Sequence, residues 1–126
     1  MNKETISSKQ APTAIGPYSQ AVKVGNTVYL SGQIPLDPQT GDLVNGDFNS
    51  QARQVFKNLE AVAKAASGSL SDAVKLTVYL TDLDNFNLLN DVMAEVLSPP
   101  FPARAAVQAS ALPKGAIIEI DAILSL

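Results

Sequence analysis

The spacing of apolar residues changes from a helical period to a strand period in the middle of this chain, and this change constrains the fold strongly. Apolar side chains recur three and four residues apart from Ala52 to Ala66, which predicts a helix with one buried stripe. In AVKLTVYLT, residues 73–81, they alternate with polar ones, which predicts a half-covered strand. Its predicted covered face consists of Val74, Leu76, Val78 and Leu80. A helix followed by such a strand requires a sheet with helices packed on one side.

The helix ends follow from capping residues and prolines. We predict that Asn49 or Ser50 caps the first helix and that Gly68 ends it. A second helix is predicted to begin near Asp84 and to stop before Pro99, because proline lacks the N–H group that continues a helix. Its predicted inward side chains are Leu89, Val92, Met93, Val96 and Leu97.

The remaining strands are indicated by turn residues between β-rich runs. Gly25-Asn26 separates runs 19–24 and 27–33, which predicts a hairpin. A short extended segment is expected at Leu43 and Val44. Near the C-terminus, runs 103–111 and 116–124 flank LPKG, and we expect them to pair as neighbouring antiparallel strands. The order β-β-(β)-α-β-α-β-β predicts an α+β domain, a mixed sheet with two helices on one face.

The uncovered face of this sheet is expected to be partly polar and to close against copies of the chain. Val107 and Ala109 are predicted to point toward the helices. The open face is predicted to contain Thr77, Tyr79, Arg104, Gln108 and Ser110.

Composition bounds the domain organisation and the chemistry. A length of 126 residues predicts one domain, 1–126, with a polar N-terminal segment at 1–10. Without histidine or cysteine the chain lacks imidazole bases, thiolate nucleophiles and the usual zinc or iron ligands. A net charge of −3 with scattered basic residues argues against a nucleic-acid partner. No apolar run suits a signal peptide or a membrane span, so we expect a cytoplasmic protein.

Arg104 and Glu119 are the sharpest candidates for function. Arg104 is the only charged residue between Val96 and Pro113, and a guanidinium in apolar surroundings binds carboxylates through paired hydrogen bonds. Glu119 stands among isoleucines, where a raised pKa would suit proton transfer near neutral pH. The alternatives are an edge-strand arginine that reaches solvent and a solvated outer strand face.

Two N-terminal motifs are weaker candidates. Gly16-Pro17 forms a rigid turn that would aim Tyr18 at a pocket. Ser31-Gly32 sits at a strand end, where a glycine permits close approach of backbone N–H groups to a ligand, although a β-bulge is the simpler reading.

Together these motifs resemble the RidA (YjgF/UK114) family over residues 11–124. The segments that carry the resemblance are IGPYSQAV (15–22), LSGQIP (30–35), LTVYLTDLDNF (76–86), PARAAV (102–107) and LPKGAIIEI (112–120). The resemblance implies a chorismate-mutase-like α+β subunit, assembled as a homotrimer with ligand clefts between subunits.

The resemblance also implies an activity. Family members hydrolyse reactive enamines and imines, such as 2-aminoacrylate, 2-iminobutanoate and 2-iminopropanoate, to 2-keto acids and ammonia without a metal or cofactor. By resemblance, Arg104 binds the substrate carboxylate and Glu119 positions or activates the water, with Tyr18 assisting. The residues that the resemblance places around the ligand are Tyr18, Ser31, Gly32, Asn90, Arg104 and Ala106.

The chain departs from the family pattern after Arg104. Many relatives have Ser-Cys where this chain has Ala105-Ala106, and the stretch from Asn90 to Arg104 is shorter than usual. These departures leave the preferred substrate side chain open. Two other functions also stay open. One is a carboxylate-binding trimer with a regulatory or chaperone-like role and no catalysis. The other is a ribonuclease, which the acidic charge and the absence of histidine disfavour.

Overall fold

A six-stranded mixed sheet carries two helices on one of its faces. The computed structural model describes residues 2–126, so Met1 of the predicted 1–10 segment lies outside the described residues. The strands are β1 (Glu4–Ile6), β2 (Ala21–Val24), β3 (Thr27–Gln33), β4 (Ala73–Leu80), β5 (Ala103–Gln108) and β6 (Ile118–Ser125), and the helices are α1 (Phe48–Ala65) and α2 (Phe86–Val96). The sheet order is β1-β2-β3-β6-β4-β5, with β4 and β5 parallel and the other neighbours antiparallel. This confirms the predicted α+β class.

The N-terminal hairpin forms as predicted, and one strand was not foreseen. β2 and β3 meet at Gly25, whose φ of 60° suits a glycine in a tight turn. β1 pairs with β2 from inside the predicted polar segment. Its polar composition concealed it, because an edge strand that buries only Ile6 leaves no alternating pattern. The predicted strand at Leu43 and Val44 is reduced to one bridge between Leu36 and Leu43.

Helix α1 has the predicted buried stripe but begins earlier than expected. The cap is Asp47, whose side chain accepts a hydrogen bond from the Ser50 N–H at 2.9 Å. Ser50, predicted as a possible cap, is therefore the third helical residue. At the other end Ser67 takes the positive φ, 67°, and the Gly68 N–H closes the helix on the Ala63 carbonyl.

Helix α2 begins at Phe86, one residue later than the predicted cap at Asp84 implies. Asp82, not Asp84, accepts the capping hydrogen bond, from the Asp84 N–H at 2.9 Å. A 3-10 turn at Leu83–Asn85 separates this cap from Phe86. Burial of Leu89, Val92, Met93 and Leu97 agrees with the predicted inward face, and Val96 is half-buried.

The arrangement of the last two strands contradicts the predicted hairpin. β5 and β6 are not neighbours: β4 lies between them, parallel to β5 and antiparallel to β6. Residues 109–117, which include a 3-10 turn at Pro113–Gly115, carry the chain across β4. β6 is buried at every second residue from Ile118 to Leu124. A central position in the sheet buries these side chains, whereas an edge position would leave them partly exposed.

The faces assigned to β5 were also wrong. Arg104 pairs in register with Leu76, and Gln108 with Leu80, so both lie on the helix side of the sheet. Val107 pairs with Tyr79 and lies on the open face. Because paired residues share a face, the small and similar residues of β5 take their orientation from β4 rather than from their own pattern.

The core lies between the helices and the inner face of the sheet. Leu76, Val78 and Leu80 of β4 are fully buried there, whereas Val74 is exposed because the register with β6 shifts between Ala73 and Lys75. Burial of each such side chain contributes about 1.5–3 kcal/mol. Among residues 2–126, no helix is long and apolar enough to cross a bilayer.

Candidate functional site

A cleft of about 510 Å³ opens beside the end of β3. Its wall is formed by the loop before β2, the end of β3, the 3-10 turn before β6 and one side chain of β6. The lining residues are Pro12, Thr13, Ile15, Tyr18, Gln20, Ser31, Gly32, Gln33, Ile34, Leu36, Pro113, Lys114 and Glu119. Four predicted site residues, Tyr18, Ser31, Gly32 and Glu119, therefore share one cleft.

Gly32 and Glu119 fit against each other. A Cβ added to Gly32 would overlap Oε2 of Glu119 and come within 3.0 Å of its Cδ and 3.1 Å of its Cγ. The glycine thus makes room for a carboxylate of the same chain. Its predicted close approach to a ligand through backbone N–H groups stays a prediction. The β3–β6 register shifts between Leu30 and Gln33, so Gly32 also lies in a β-bulge, which was the alternative interpretation of this motif.

The carboxyl group of Glu119 has a perturbed pKa. Burial raises its pKa above the usual value, and the carboxylate of Asp121, two residues along the same face, raises it further. Asp121 in turn accepts a hydrogen bond at 3.3 Å from the hydroxyl of Tyr79, and its charge raises the pKa of Tyr79. A half-buried carboxyl group of this kind accepts and returns protons closer to neutral pH than an exposed one.

Tyr18 lines the cleft from a rigid turn. Its N–H donates to the Gly16 carbonyl at 2.9 Å, and Gly16 has a φ of 122° that disfavours any residue with a Cβ. The side chain is 54% exposed, and within residues 2–126 its hydroxyl has no hydrogen-bond partner. The phenol is therefore available to a ligand.

Ser31 has a different role from Tyr18, because its hydrogen-bond donors are already used. Its Oγ donates to the Ser19 carbonyl at 2.6 Å and its N–H to the Gln20 carbonyl at 2.9 Å. Ser31 thus ties β3 to the Tyr18 turn and shapes the cleft wall.

Gln20 and Lys114 are among the cleft residues that sequence reasoning missed. Gln20 is buried and holds the N-terminal loop, accepting from the Ser8 N–H at 2.6 Å and donating to the Pro12 carbonyl at 2.7 Å. Lys114, from the LPKG turn, donates to the Gly41 carbonyl at 3.1 Å. The sequence signal that could have identified Lys114 is its short distance from Glu119: it lies four residues before Ile118, where β6 begins, and β6 brings Glu119 into the cleft.

The other three predicted site residues form a second cluster at the edge strand β5. Nη1 of Arg104 donates to Oδ1 of Asn90 at 2.6 Å and to the sulfur of Met93 at 3.4 Å, and the guanidinium lies 4.8 Å from the Phe86 ring centre. Ala106, also on the helix side of β5, packs partly against the core.

This cluster leaves part of Arg104 free for a ligand. Among residues 2–126, its Nε and Nη2 have no hydrogen-bond partner, and no carboxylate forms an ion pair with it. The cation–π contact and the bond to Asn90 hold the guanidinium in place. A pre-positioned guanidinium with two free donors is suited to a carboxylate.

The sheet separates the two clusters within one chain. Arg104 pairs with Leu76 on the helix side, whereas Glu119 pairs with Tyr79 on the open face. The expected approach of Arg104 and Glu119 across a hairpin is therefore wrong for a single copy. Exposed apolar residues also lie on the open face, with Tyr29 51% and Val107 44% exposed.

No cluster of three or more His, Cys, Asp or Glu side chains suited to a metal ion occurs within the described part of the chain, residues 2–126. The ionisable groups that line the cleft are one carboxyl group, one phenol and one ammonium group.

Comparison with known proteins gives consistent matches over nearly the full length. The family model described as endoribonuclease L-PSP matches residues 8–125. A RutC family protein of Pyrococcus horikoshii is 51% identical over 96% of each chain. The human 2-iminobutanoate/2-iminopropanoate deaminase is 48% identical over 96% of this chain and 88% of its own.

Solved structures agree with these sequence matches. The crystal structure of RidA from an Antarctic Psychrobacter has a TM-score of 0.95 and 57% identity, covering 98% of this chain and 99% of the other. Escherichia coli TdcF with bound serine has a TM-score of 0.91 and 40% identity, covering 98% of both chains.

Proposed function

Because this chain belongs to the RidA family, the family of the endoribonuclease L-PSP model, we propose that it hydrolyses 2-imino acids and their enamine tautomers to 2-keto acids and ammonia. The substrates we propose are 2-aminoacrylate, 2-iminobutanoate and 2-iminopropanoate. The observation that carries the proposal is the half-buried Glu119 carboxyl, with its raised pKa, in a cleft of about 510 Å³.

The proposed reaction uses Glu119 as base and then as acid. Its carboxylate takes a proton from water as the water oxygen attacks the imine carbon and returns this proton to the nitrogen, which gives a neutral carbinolamine. The carboxylate then takes the hydroxyl proton of the carbinolamine and passes it to the amine nitrogen, so the C–N bond breaks and ammonia leaves as the C=O bond forms. One water is consumed and one ammonia released, so atoms and charge balance. The hydroxyl of Tyr18, which has no partner within residues 2–126, assists by hydrogen bonding to the polar intermediate.

Arg104 supplies the carboxylate anchor in this proposal. Its free Nε and Nη2 donors bind the two substrate oxygens, while Asn90 holds Nη1. The anchor orients the imine carbon toward the water, so its loss affects both binding and turnover. Ala106, two residues further on the same face of β5, contributes its backbone to the ligand.

We propose that each complete site is built from two copies of a homotrimer. One copy contributes Arg104, Asn90 and Ala106, and its neighbour contributes Tyr18, Ser31, Gly32 and Glu119. The support is the position of Arg104 and Glu119 on opposite faces of one sheet, together with the exposed apolar side chains of Tyr29 and Val107.

The first experiment measures keto-acid release from imines generated in situ by a threonine dehydratase. Wild type should accelerate release. Arg104→Ala should lower kcat/KM by about 100-fold or more, because two charge-assisted hydrogen bonds of about 1.5–3 kcal/mol each are lost. Glu119→Gln should lower kcat by about 100-fold or more. The matched controls are Arg53→Ala and Glu95→Gln, an exposed ion pair joining α1 and α2, and both should keep wild-type rates.

A subunit-mixing experiment tests the two-copy site. Arg104→Ala and Glu119→Gln chains are co-refolded in equal amounts, and the activity of the mixture is compared with that of each variant alone. Random assembly puts an intact Arg104 opposite an intact Glu119 in about one site in four, so about a quarter of wild-type activity should return. No recovery in mixed trimers would place both residues in one chain and contradict the proposal.

A second candidate function is binding without chemistry. The serine in the Escherichia coli TdcF structure favours it, since serine is an amino acid with a free carboxylate. In this case Arg104→Ala abolishes ligand binding, Glu119→Gln leaves binding intact, and wild type accelerates no hydrolysis.

The family description also names an endoribonuclease, which we do not propose for this chain. A net charge of −3 disfavours binding to a polyphosphate backbone, and the sequence contains no histidine to act as general base or acid.

A further inference from the structure

A buried asparagine interrupts the apolar stripe of α1 behind the cleft. Asn58 is fully buried, beside Val55, Leu59 and Val62 of the same stripe. A buried amide costs free energy unless its hydrogen bonds are made, so its partners indicate what it is for.

Both donor hydrogens of Asn58 are directed at one short segment of the cleft wall. Its Nδ2 donates to the carbonyl of Leu36 at 2.9 Å and to that of Ile34 at 3.4 Å, while its Oδ1 accepts from Nε2 of Gln54 at 2.9 Å. Ile34 and Leu36 both line the cleft. One side chain therefore connects the helix to the apolar wall of the site.

This wall segment lies beyond the end of β3, so the sheet ladder does not fix it. Pro35 has no N–H group, and the Leu36 N–H turns back to the Ile34 carbonyl at 2.7 Å. Besides Asn58, the segment is held by the Val44 N–H on the Pro35 carbonyl and by the bridge between Leu36 and Leu43. Asn58 is thus the tie that connects the wall to the buried core.

The same segment is continuous with the support of the proposed catalytic carboxylate. Gly32, against which Glu119 packs, lies two residues before Ile34. A carbonyl held at residue 34 therefore limits how far the apolar wall can move relative to Gly32 and the Glu119 side chain that packs on it. A closely packed pocket wall disfavours a substrate with additional methylene groups, because the wall residues cannot move away without losing their own packing contacts.

We infer that Asn58 is a positioning residue that restricts the substrate to 2-imino acids with short aliphatic side chains. The inference rests on the proposed function, because it assigns the wall at Ile34 and Leu36 to the substrate side chain. One methylene is worth about 10- to 200-fold in kcat/KM where a hydrophobic pocket discriminates by size. Loss of the Asn58 hydrogen bonds to the wall should therefore reduce the discrimination between short and long substrates.

The experiment uses a series of 2-imino acids made in situ by an amino-acid oxidase with catalase from alanine, 2-aminobutyrate, norvaline and norleucine. The measured quantity is the ratio of kcat/KM for the shortest and longest substrates. Asn58→Leu, which keeps the shape branched at Cγ but removes both donors, should reduce this ratio about tenfold, mainly by lowering KM for the longer substrates. Asn58→Ser, which leaves space for a bridging water, should recover part of the discrimination.

The matched control is Gln54→Ala, which removes the partner of Oδ1 and leaves both Nδ2 donors in place. Its ratio should equal that of wild type. A folded Asn58→Leu with an unchanged ratio, or with an equal loss for every substrate, overturns the inference, and so does failure of both Asn58 variants to fold. Wild type that accelerates no hydrolysis refutes the proposed function first, and this inference with it, so the two failures are distinguished.

Discussion

Substitution of Gly32 by alanine places a methyl group where the Glu119 carboxylate lies. The new Cβ would be 3.0 Å from Cδ, where ordinary contact begins at 3.4 Å, and would overlap Oε2 more severely. The carboxylate must therefore retreat by about 1 Å to reach an ordinary contact distance. Because the obstacle is the end of a flexible side chain, the protein should still fold, with a loss of stability of about 1 kcal/mol.

The kinetic effect of this displacement should be much larger than its effect on stability. A misplacement of about 1 Å in a catalytic group costs about 100-fold in rate, so kcat for keto-acid release should fall by that factor. KM should change by less than about threefold, because Arg104 still binds the carboxylate. The assay is steady-state hydrolysis of 2-iminobutanoate, with urea unfolding of the same preparations.

The double variant separates displacement of Glu119 from a general backbone effect. In a Glu119→Ala background the methyl group at residue 32 has nothing to displace, so Gly32→Ala should cause no further loss of kcat and no loss of stability. An equal loss in both backgrounds, or a folded Gly32→Ala with wild-type kcat, would refute the reasoning.

Three further predictions follow from the same geometry. Since Glu119 acts as a base only when ionised, kcat/KM should rise with pH through a pKa above the usual 4.5, and Asp121→Asn should shift this limb to lower pH by removing the second cause of the raised pKa. Unchanged pH profiles in Asp121→Asn would exclude that coupling. Because folding raises the pKa of Glu119, its contribution to stability is fully present below the usual pKa and is lost as the pH rises through the folded-state pKa. Glu119→Gln should therefore have a higher Tm than wild type at pH 7 and an equal Tm below about pH 4. A Tm difference that persists in acid would contradict this sign. Val107→Lys, on the open face, should give folded monomers without activity, as measured by sedimentation and the imine assay, and an active monomer would count against the two-copy site.

The sequence was most informative where one local pattern decides the structure. The spacing of α1 and the alternation of β4 predicted both elements and nearly all their buried residues, because burial on one face imposes a period on the chain. The caps were less predictable, since Asp47 and Asp82 compete with nearby Asn, Ser and Asp residues that cap equally well. Asn58 was missed because a polar residue in an apolar stripe signals burial only when its partners are known.

The candidate site was predicted as a set of residue types but not as an arrangement. Arg104 and Glu119 stood out because charges are rare in apolar runs, and this needs no tertiary information. Their predicted meeting across a hairpin failed, since a turn such as LPKG constrains only its neighbouring residues and does not determine which strands pair. The nine residues 109–117 are long enough to cross β4, and local signals cannot distinguish a hairpin from this crossing.

The sequence by itself therefore determined both helices, most of the strands, the α+β class and the two unusual charges, because these depend on residue type and on spacing within one element. Only the tertiary structure decided that β6 is central, that β5 is an edge strand parallel to β4, and that Arg104 and Glu119 lie on opposite faces. The physical reason is that strand order follows from burial of the whole sheet, in which β6 with its fully apolar inner face gains more from the centre than β5.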